Sequence, residues 1–457
     1  MRRLLLLSFA LLAACTSDED SPATTPAATC GSLTPNVASY PVAPDHCGVP
    51  PFTLRTDATL GDVSAKGLRD TFSASASAVF LALGQVKGTE LHDVDVEQLA
   101  YVTQDRGQRI EATTLIAYPN DLDTKTSFDV VLVLHGTAGF TDKCAPSGST
   151  DTRPLVAALA SLGYVAVAPD YIGLKGVGAP TGFLHPYLVA QPTAIASLDA
   201  VRATVKHLAK ENGNTCAKPR FATLGGSQGG HAALWVDRLA PYYAKELEHV
   251  GVVATVPPAD MLGEGVRALR TKVPASGNIA AFYAAASDWY GTRAKLPQVF
   301  VSPLDKDIPA ALASSCSPDL RDAELVDVFA KPLLDAAAVD GGLKALSPWG
   351  CMLAENGLTT TSVPRVAPTS PSYGVLFVLG ENDTLVDPET ERKAFDALCA
   401  QGMKMNYLEC AGASHTKATT WSLPEIIDFL RDRFAGKAID PATVCKRAGA
   451  TRCRGTS

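Results

Sequence analysis

The strongest constraint on the fold is a rhythm. Short, continuously apolar runs recur along the chain: FDVVLVLHG (128–136), YVAVAPD (164–170), RFATLGG (220–226), VGVVATVPP (250–258) and YGVLFVLGEND (373–383). A run without polar alternation suits a parallel strand covered on both faces. The intervals between them read as helices. TRPLVAALASLG (152–163) stops at Gly163, and the long segment 193–213 puts Ile195, Leu198, Val201, Val205 and Leu208 on one stripe before Gly213. A helix starting after Ser227 is predicted to end near Leu239, before Pro241. RIEATTLIAYP (109–119) alternates instead, as one strand of an early hairpin, which makes 220–226 the fifth strand. Strand–helix alternation of this kind gives an α/β fold, a mainly parallel sheet with helices on both faces.

The rhythm breaks over Ala259–Ser370, which is helix-leaning and Ala-rich, and resumes with a strand, a helix, a strand (403–415, with its loop) and a terminal helix at 423–434. The interruption reads as an inserted cap. The expected organisation is a core over 29–258, a cap or lid over 259–370, the rest of the core over 371–436, and a Cys-containing tail over 437–457.

Residues 1–28 read differently. Arg2 and Arg3 precede an apolar run, Leu4 to Ala14, too short to span a bilayer. The run ends in LAAC, which resembles the bacterial lipoprotein signal, a signal peptide over 1–14 followed by a cysteine, Cys15, for lipid attachment. Thr16 rather than aspartate follows, which in that resemblance implies the outer membrane. The segment to Ala28, rich in Ser, Thr, Pro and acids, reads as a flexible tether. The expectation is an exported protein held at a membrane by its N-terminal lipid. A net charge of −7 with no basic run beyond the first residues speaks against a nucleic-acid partner.

Setting Cys15 aside leaves ten of the 11 cysteines. An even number in an exported chain suggests disulfides, and no C-x-x-C pair or Cys/His cluster suggests a metal. Cys30–Cys47 is a plausible pair, since both lie in the extended N-terminal segment. Cys399 and Cys410 are expected not to pair. One ends a helix at the amino edge of the sheet and the other ends the next strand at the carboxyl edge, roughly 20 Å away, while a disulfide needs Cα atoms within about 7 Å.

The chemistry-bearing residues cluster at the carboxyl ends of the predicted strands, where open α/β sheets place functional groups. GGSQG (225–229) fits G-x-S-x-G between a strand and a helix. Such a sharp turn presents Ser227 Oγ outward and brings the flanking positions together, so Gly225 and Gly229 are read as clearance for a nucleophile elbow. Asp383, in GENDTLVDP, is the acid candidate. Asp387, four residues on, could instead cap the helix that starts after Pro388. His415, in AGASH, is the base candidate. HGTAG (135–139) supplies a loop whose N–H at Thr137 can pair with the N–H of Gln228 as an oxyanion hole. His135 and His185 are read as holding loops, and His231 as a helix residue that is packed or faces solvent. No metal and no cofactor is called for.

In the order Ser227, Asp383, His415 the chain resembles an α/β-hydrolase. The segments APDYIGLKG, HPYLVAQPTAIASLDAVRA, GGSQGGHAALW, GENDTLVDP and GASH together make it similar to the secretory lipase family. That resemblance implies cleavage of a lipid or small ester through an acyl-enzyme on Ser227, with His415 as base, Asp383 orienting it, and the cap shaping an acyl tunnel. A serine peptidase or an acyltransferase of the same fold is the alternative, and a catalytically dead binding module is the reading from a different class.

Overall fold

A computed structural model describes residues 30–38, 47–86, 90–211, 213–319 and 323–456. The predicted signal and tether, with Cys15, lie outside the described residues. Nine strands form one sheet: β1 Val63–Phe72, β2 Val94–Asp105, β3 Gln108–Pro119, β4 Thr126–Leu134, β5 Val165–Pro169, β6 Thr215–Gly226, β7 Glu248–Thr255, β8 Gly374–Gly380 and β9 Met405–Cys410. Their order across the sheet is β1-β2-β3-β5-β4-β6-β7-β8-β9. β1, β2 and β3 pair antiparallel, and β3 meets β5 antiparallel. Every pairing from β5 through β4 to β9 is parallel. The apolar runs read from sequence thus form the parallel strands, buried by helices on both faces. One layer holds Ala190–Lys210, Gln228–Tyr243 and Pro388–Ala400, and the other holds Ala74–Leu83, Thr152–Ser161 and Leu423–Phe434.

Three expectations need correcting. The first concerns strand count. The strand leading to Ser227 is the sixth, because β1 and β2 both precede the hairpin partner read from sequence. β2 (VDVEQLAYVTQD) looks too polar for a buried strand, yet only its last residue is not fully buried. Its charges are compensated inside the fold. Arg69 pairs with Asp95, and Tyr118 and His207 bond to Glu97. Burial alone would raise the Glu97 carboxyl, but those bonds hold it down at about 2.

The second concerns the helix after Ser227, which continues to Tyr243 with Pro241 inside it. Pro241 lies in the last turn, so the backbone bond it cannot donate costs only the fraying end of the helix. The third concerns cysteine pairing. Cys30 bonds Cys216, not Cys47, and Cys47 bonds Cys351, far along the chain in the inserted segment. Leu33 and Val37 pack against the core of the sheet while Cys47 and Val49 join the cluster of the inserted segment, so the two cysteines meet different partners. Cys399 and Cys410 are indeed not joined. They bond Cys445 and Cys453, and so fasten the C-terminal tail. That tail lies along β9, where Thr451 exchanges backbone bonds with Glu409 and Ala411 and covers the sheet edge.

Among the described residues, seven α-helices and one short 3-10 helix lie between β7 and β8, from Met261–Arg270 to Trp349–Asn356. They build a separate apolar cluster that Phe140, Leu184 and Tyr187 to Val189 join from loops at the carboxyl edge of the sheet. The segment is fastened there in two ways. Cys144–Cys316 and Cys47–Cys351 are covalent ties. Asn356 is a polar one. Its carbonyl accepts from His231 Nε2 (2.7 Å) and Trp235 Nε1 (2.9 Å), and its amide oxygen accepts from the Ala190 N–H (2.8 Å).

The LDAVRA stretch of helix Ala190–Lys210 carries a buried charge pair. Arg202 donates to Asp199 (2.7 Å) and Glu246 (2.6 Å), and its guanidinium lies 4.6 Å from the Tyr243 ring centre. Asp199 also accepts from Thr103 Oγ1 (2.7 Å) and the Tyr243 hydroxyl (2.8 Å). Removing one member of such a pair leaves the other buried and under-compensated. Asp199→Ala is therefore expected to cost about 3–5 kcal/mol of stability. Lys331→Ala, which breaks an exposed i,i+4 pair with Asp335, is expected to cost no more than about 0.5 kcal/mol. Chemical denaturation of the two variants checks the contrast.

Candidate active site

The turn between β6 and helix Gln228–Tyr243 holds a non-glycine residue at positive φ. Ser227 sits at φ 57°, ψ −120°, a region that costs a non-glycine residue about 1–3 kcal/mol. Neighbouring strands hold it there. The Ser227 N–H donates to Thr255 O at the end of β7 (2.9 Å), and its carbonyl accepts from the His231 N–H (3.0 Å). The flanking glycines are sterically required. A Cβ on Gly225 would lie 2.0 Å from Gly229 O, so the two positions do approach as the motif implies. A Cβ on Gly229 would lie 1.9 Å from Leu134 O, the last carbonyl of β4. Backbone cannot yield at such distances, so Gly229 also sets how closely the loop after β4 approaches the turn.

That loop, Gly136 to Phe140, faces Ser227. A Cβ on Gly136 would come within 3.9 Å of Ser227 Cβ. Its anchor is aromatic. His135 stacks on Tyr171 with centroids 4.1 Å apart, and Tyr171 stacks on His185 at 5.7 Å. The Tyr171 hydroxyl donates to His135 O (3.1 Å). Burial pushes His135 down, and His185 down to about 3, so His185 is neutral. His185 Nδ1 faces Ile172 O at 2.8 Å and must carry the ring proton, so His185 Nε2 accepts from Gln228 Nε2 at 2.7 Å. The Gln228 side chain is thereby fixed at the first position of the helix. Helix geometry leaves the N–H groups of that first turn without intrahelical acceptors, which is the requirement on an anion-facing Gln228 N–H.

Asp383 and His415 are brought together. His415 Nδ1 lies 2.7 Å from Asp383 Oδ2. The other Asp383 oxygen accepts from the N–H groups of Leu385 (2.9 Å) and Val386 (3.1 Å), which orients the carboxylate. Its side chain is 2% exposed and that of His415 is 16% exposed. His415 Nε2 is buried with no hydrogen-bond partner among the described residues. Asp387 does the other job weighed for it. It caps helix Pro388–Ala400, accepting from Thr390 N–H and Oγ1, both at 2.8 Å.

Ser227, His415 and Thr137 line one cavity of about 500 Å³, whose far wall comes from the inserted segment through Pro274, Asn278 and Ala281. His231 lies away from it and bonds Asn356 O, with burial pushing it down to about 4. Among the described residues, no group of three or more His, Cys, Asp or Glu side chains is arranged to hold a metal ion. A serine on a strained turn, an imidazole with one nitrogen tied to a carboxylate and the other open, and a neighbouring loop and helix start together have the parts for nucleophilic acyl chemistry.

The model of the family described as secretory lipase matches residues 149–441, well over half of the chain. The chain belongs to the secretory lipase family. It is 27% identical over 321 residues to the secreted triacylglycerol lipase LIP7 of Malassezia globosa, covering 65% of this chain and 62% of that protein. The chain thus spans less than two thirds of that relative's length. It is 25% identical over 386 residues to a Mycobacterium tuberculosis protein named "Probable inactive lipase MT1628", covering 78% of this chain and 80% of that one. The solved structure of Candida antarctica lipase A in its closed state superposes with a TM-score of 0.65 at 15% identity, covering 87% of each chain. The fold is that of the α/β-hydrolases.

Two residues at or beside the cavity were not singled out from the sequence. Tyr187, whose hydroxyl lies 2.9 Å from Thr137 Oγ1 and accepts from Asn278 Nδ2 at 2.9 Å, sits in the HPYL stretch that carries the family likeness, so its position was visible but its contacts were not. Asn278 lies in the inserted segment, where helix-leaning composition gives no local signal. The steric argument yields a test. Gly229→Val touches no reactive group, yet it should cut phosphonate labelling of Ser227 by about 100-fold or more through displacement of the turn. Gly213→Val, at an exposed glycine with open space around it, should leave labelling unchanged. Labelling rates read by intact-protein mass spectrometry decide it.

Proposed function

We propose that the protein is a serine hydrolase of carboxylic esters, a lipase or esterase acting through an acyl-enzyme on Ser227. The observation that carries this reading is the His415–Asp383 pair at 2.7 Å, with the second imidazole nitrogen unpaired and His415 in the same cavity as Ser227. In this reading His415 Nε2 takes the Ser227 proton as Oγ attacks the ester carbonyl, then returns it to the leaving alcohol. Asp383 keeps the proton on Nδ1 and balances the imidazolium. Water, activated by the same nitrogen, releases the acid. The N–H groups of Thr137 and Gln228 face the carbonyl oxygen as it gains charge.

The inserted segment, residues 259–370, is the cap over the acyl chain. The secreted Malassezia lipase supports export and a lipid substrate. The LAAC stretch supports a lipid anchor at Cys15 at the cell envelope, in the outer membrane. A relative named as inactive keeps a second reading in play, a surface-displayed binding module. The complete set Ser227, Asp383 and His415 favours the enzyme, as does the energetic cost of the Ser227 turn, which a module without chemistry gains nothing from.

Protein lacking residues 1–15 should react with a fluorophosphonate at Ser227 and hydrolyse p-nitrophenyl esters between acetate and palmitate. Asp383→Asn should lower kcat by about 10⁴-fold. Asp387→Ala should keep kcat and lose only about 1 kcal/mol of stability. Absence of both labelling and turnover in the wild type would sink the enzyme reading. Cleavage of aminoacyl amides alone would favour a peptidase.

A further inference from the structure

A chain of three side chains leads from the inserted segment to the loop facing Ser227, and its proton count can be worked out. Asn278, on helix Ala275–Trp289, donates Nδ2–H to the Tyr187 hydroxyl at 2.9 Å. That hydroxyl lies 2.9 Å from Thr137 Oγ1. A phenol has one proton to give. With the Asn278 amide on its accepting side, that proton goes to Thr137. Burial drives the Tyr187 phenol upward, so it keeps its proton throughout the neutral range. Thr137 Oγ1 is therefore an acceptor toward Tyr187, and its own proton is left for the cavity that Thr137, Asn278 and Ser227 share.

We propose that the Thr137 hydroxyl is a third donor to the oxyanion, beside the N–H groups of Thr137 and Gln228, and that Tyr187 and Asn278 are positioning residues that fix its polarity. The proposal rests on the acyl-transfer reading of Ser227. No proton changes hands in this step. As Ser227 Oγ bonds to the carbonyl carbon, the C=O electron pair moves onto oxygen, and the Thr137 O–H is the donor that meets it. Such a bond strengthens as charge develops, so it acts on kcat more than on KM. Because Asn278 belongs to the inserted segment, the donor is set only when that segment is seated on the core. The polarity argument separates this role from mere packing. Were the Asn278 amide oxygen facing Tyr187 instead, the phenol would donate to it, Thr137 would donate to the phenol, and no hydroxyl proton would reach the cavity.

The test uses the chain from residue 16 onward, with p-nitrophenyl butyrate as the ester. Thr137→Val should lower kcat about 10- to 100-fold, with KM within about twofold and an unchanged melting temperature. Thr137→Ser should recover most of the loss. Asn278→Asp places a carboxylate that can only accept beside Tyr187 and reverses the chain. Its loss should be comparable, and Thr137→Val added to it should cost little more. Full kcat in Thr137→Val, or losses that multiply in the double variant, would overturn the proposal while leaving the acyl-transfer reading intact. A wild-type protein that takes up no phosphonate at Ser227 would overturn both.

Discussion

The backbone at Ser227 is the constraint on which the rest of the site depends. A positive φ at a serine is unfavourable alone and persists only where its surroundings over-determine it. Here the bond from Ser227 N–H to Thr255 O, the bond from His231 N–H to Ser227 O, and the clearance at Gly225 and Gly229 do so together. Gly230 belongs to the same set, since a Cβ there would lie 2.8 Å from Thr255 O. These contacts tie the turn to β4 on one side and β7 on the other. The position of Ser227 is thus set by three adjacent parallel strands rather than by a loop, which is how a rigid sheet can carry a group whose placement matters to fractions of an ångström.

The second dependence is on the inserted segment. The wall of the cavity opposite Ser227 comes from residues more than forty positions beyond the turn in sequence, so its register against the core cannot follow from chain connectivity. Four ties set it. Cys144–Cys316 lies at the cavity rim, and Cys47–Cys351 pins the far end of the segment. Asn356 gathers His231, Trp235 and Ala190. Arg267 joins the segment to the loop after β8, bonding Glu264 and the carbonyl of Leu385, whose N–H holds Asp383. Glu264 in turn accepts from the Asp387 N–H. The orientation of Asp383 is therefore shared between the strand that bears it and the segment packed above it.

The parallel strands and the sequence positions of Ser227, Asp383 and His415 were legible because their signals are local: apolar runs, small residues at fixed offsets, a carboxylate at a strand end. What was not legible depends on compensation at a distance. β2 hides its strand character behind Asp95, Glu97 and Gln98, whose burial is tolerable only because Arg69, His207, Tyr118 and Ser147 meet them from other elements. The cysteine partners of Cys30, Cys47 and Cys144 lie 186, 304 and 172 residues away, where proximity in sequence is no guide. At the two shorter links, 46 and 43 residues, strand geometry excluded a Cys399–Cys410 bond but named neither partner. The LDAVRA stretch shows the opposite hazard. It was among the more specific marks of the family, yet its Asp199 and Arg202 are spent on a buried pair in a helix, so a distinctive motif need not lie at the site.

The histidines sharpen the assignment of the base in a way that spacing alone could not. Four of them surround the turn. His135 has both ring nitrogens against backbone carbonyls, His185 spends one on Ile172 O and the other on Gln228, and His231 is turned away to Asn356. Burial pushes all three below their usual range. His415 differs in kind. One nitrogen faces the Asp383 carboxylate, and the other is unpaired among the described residues. The other three spend ring nitrogens on structural partners, whereas His415 reaches the cavity of Ser227 with one nitrogen open, as the acid–base role proposed for it requires.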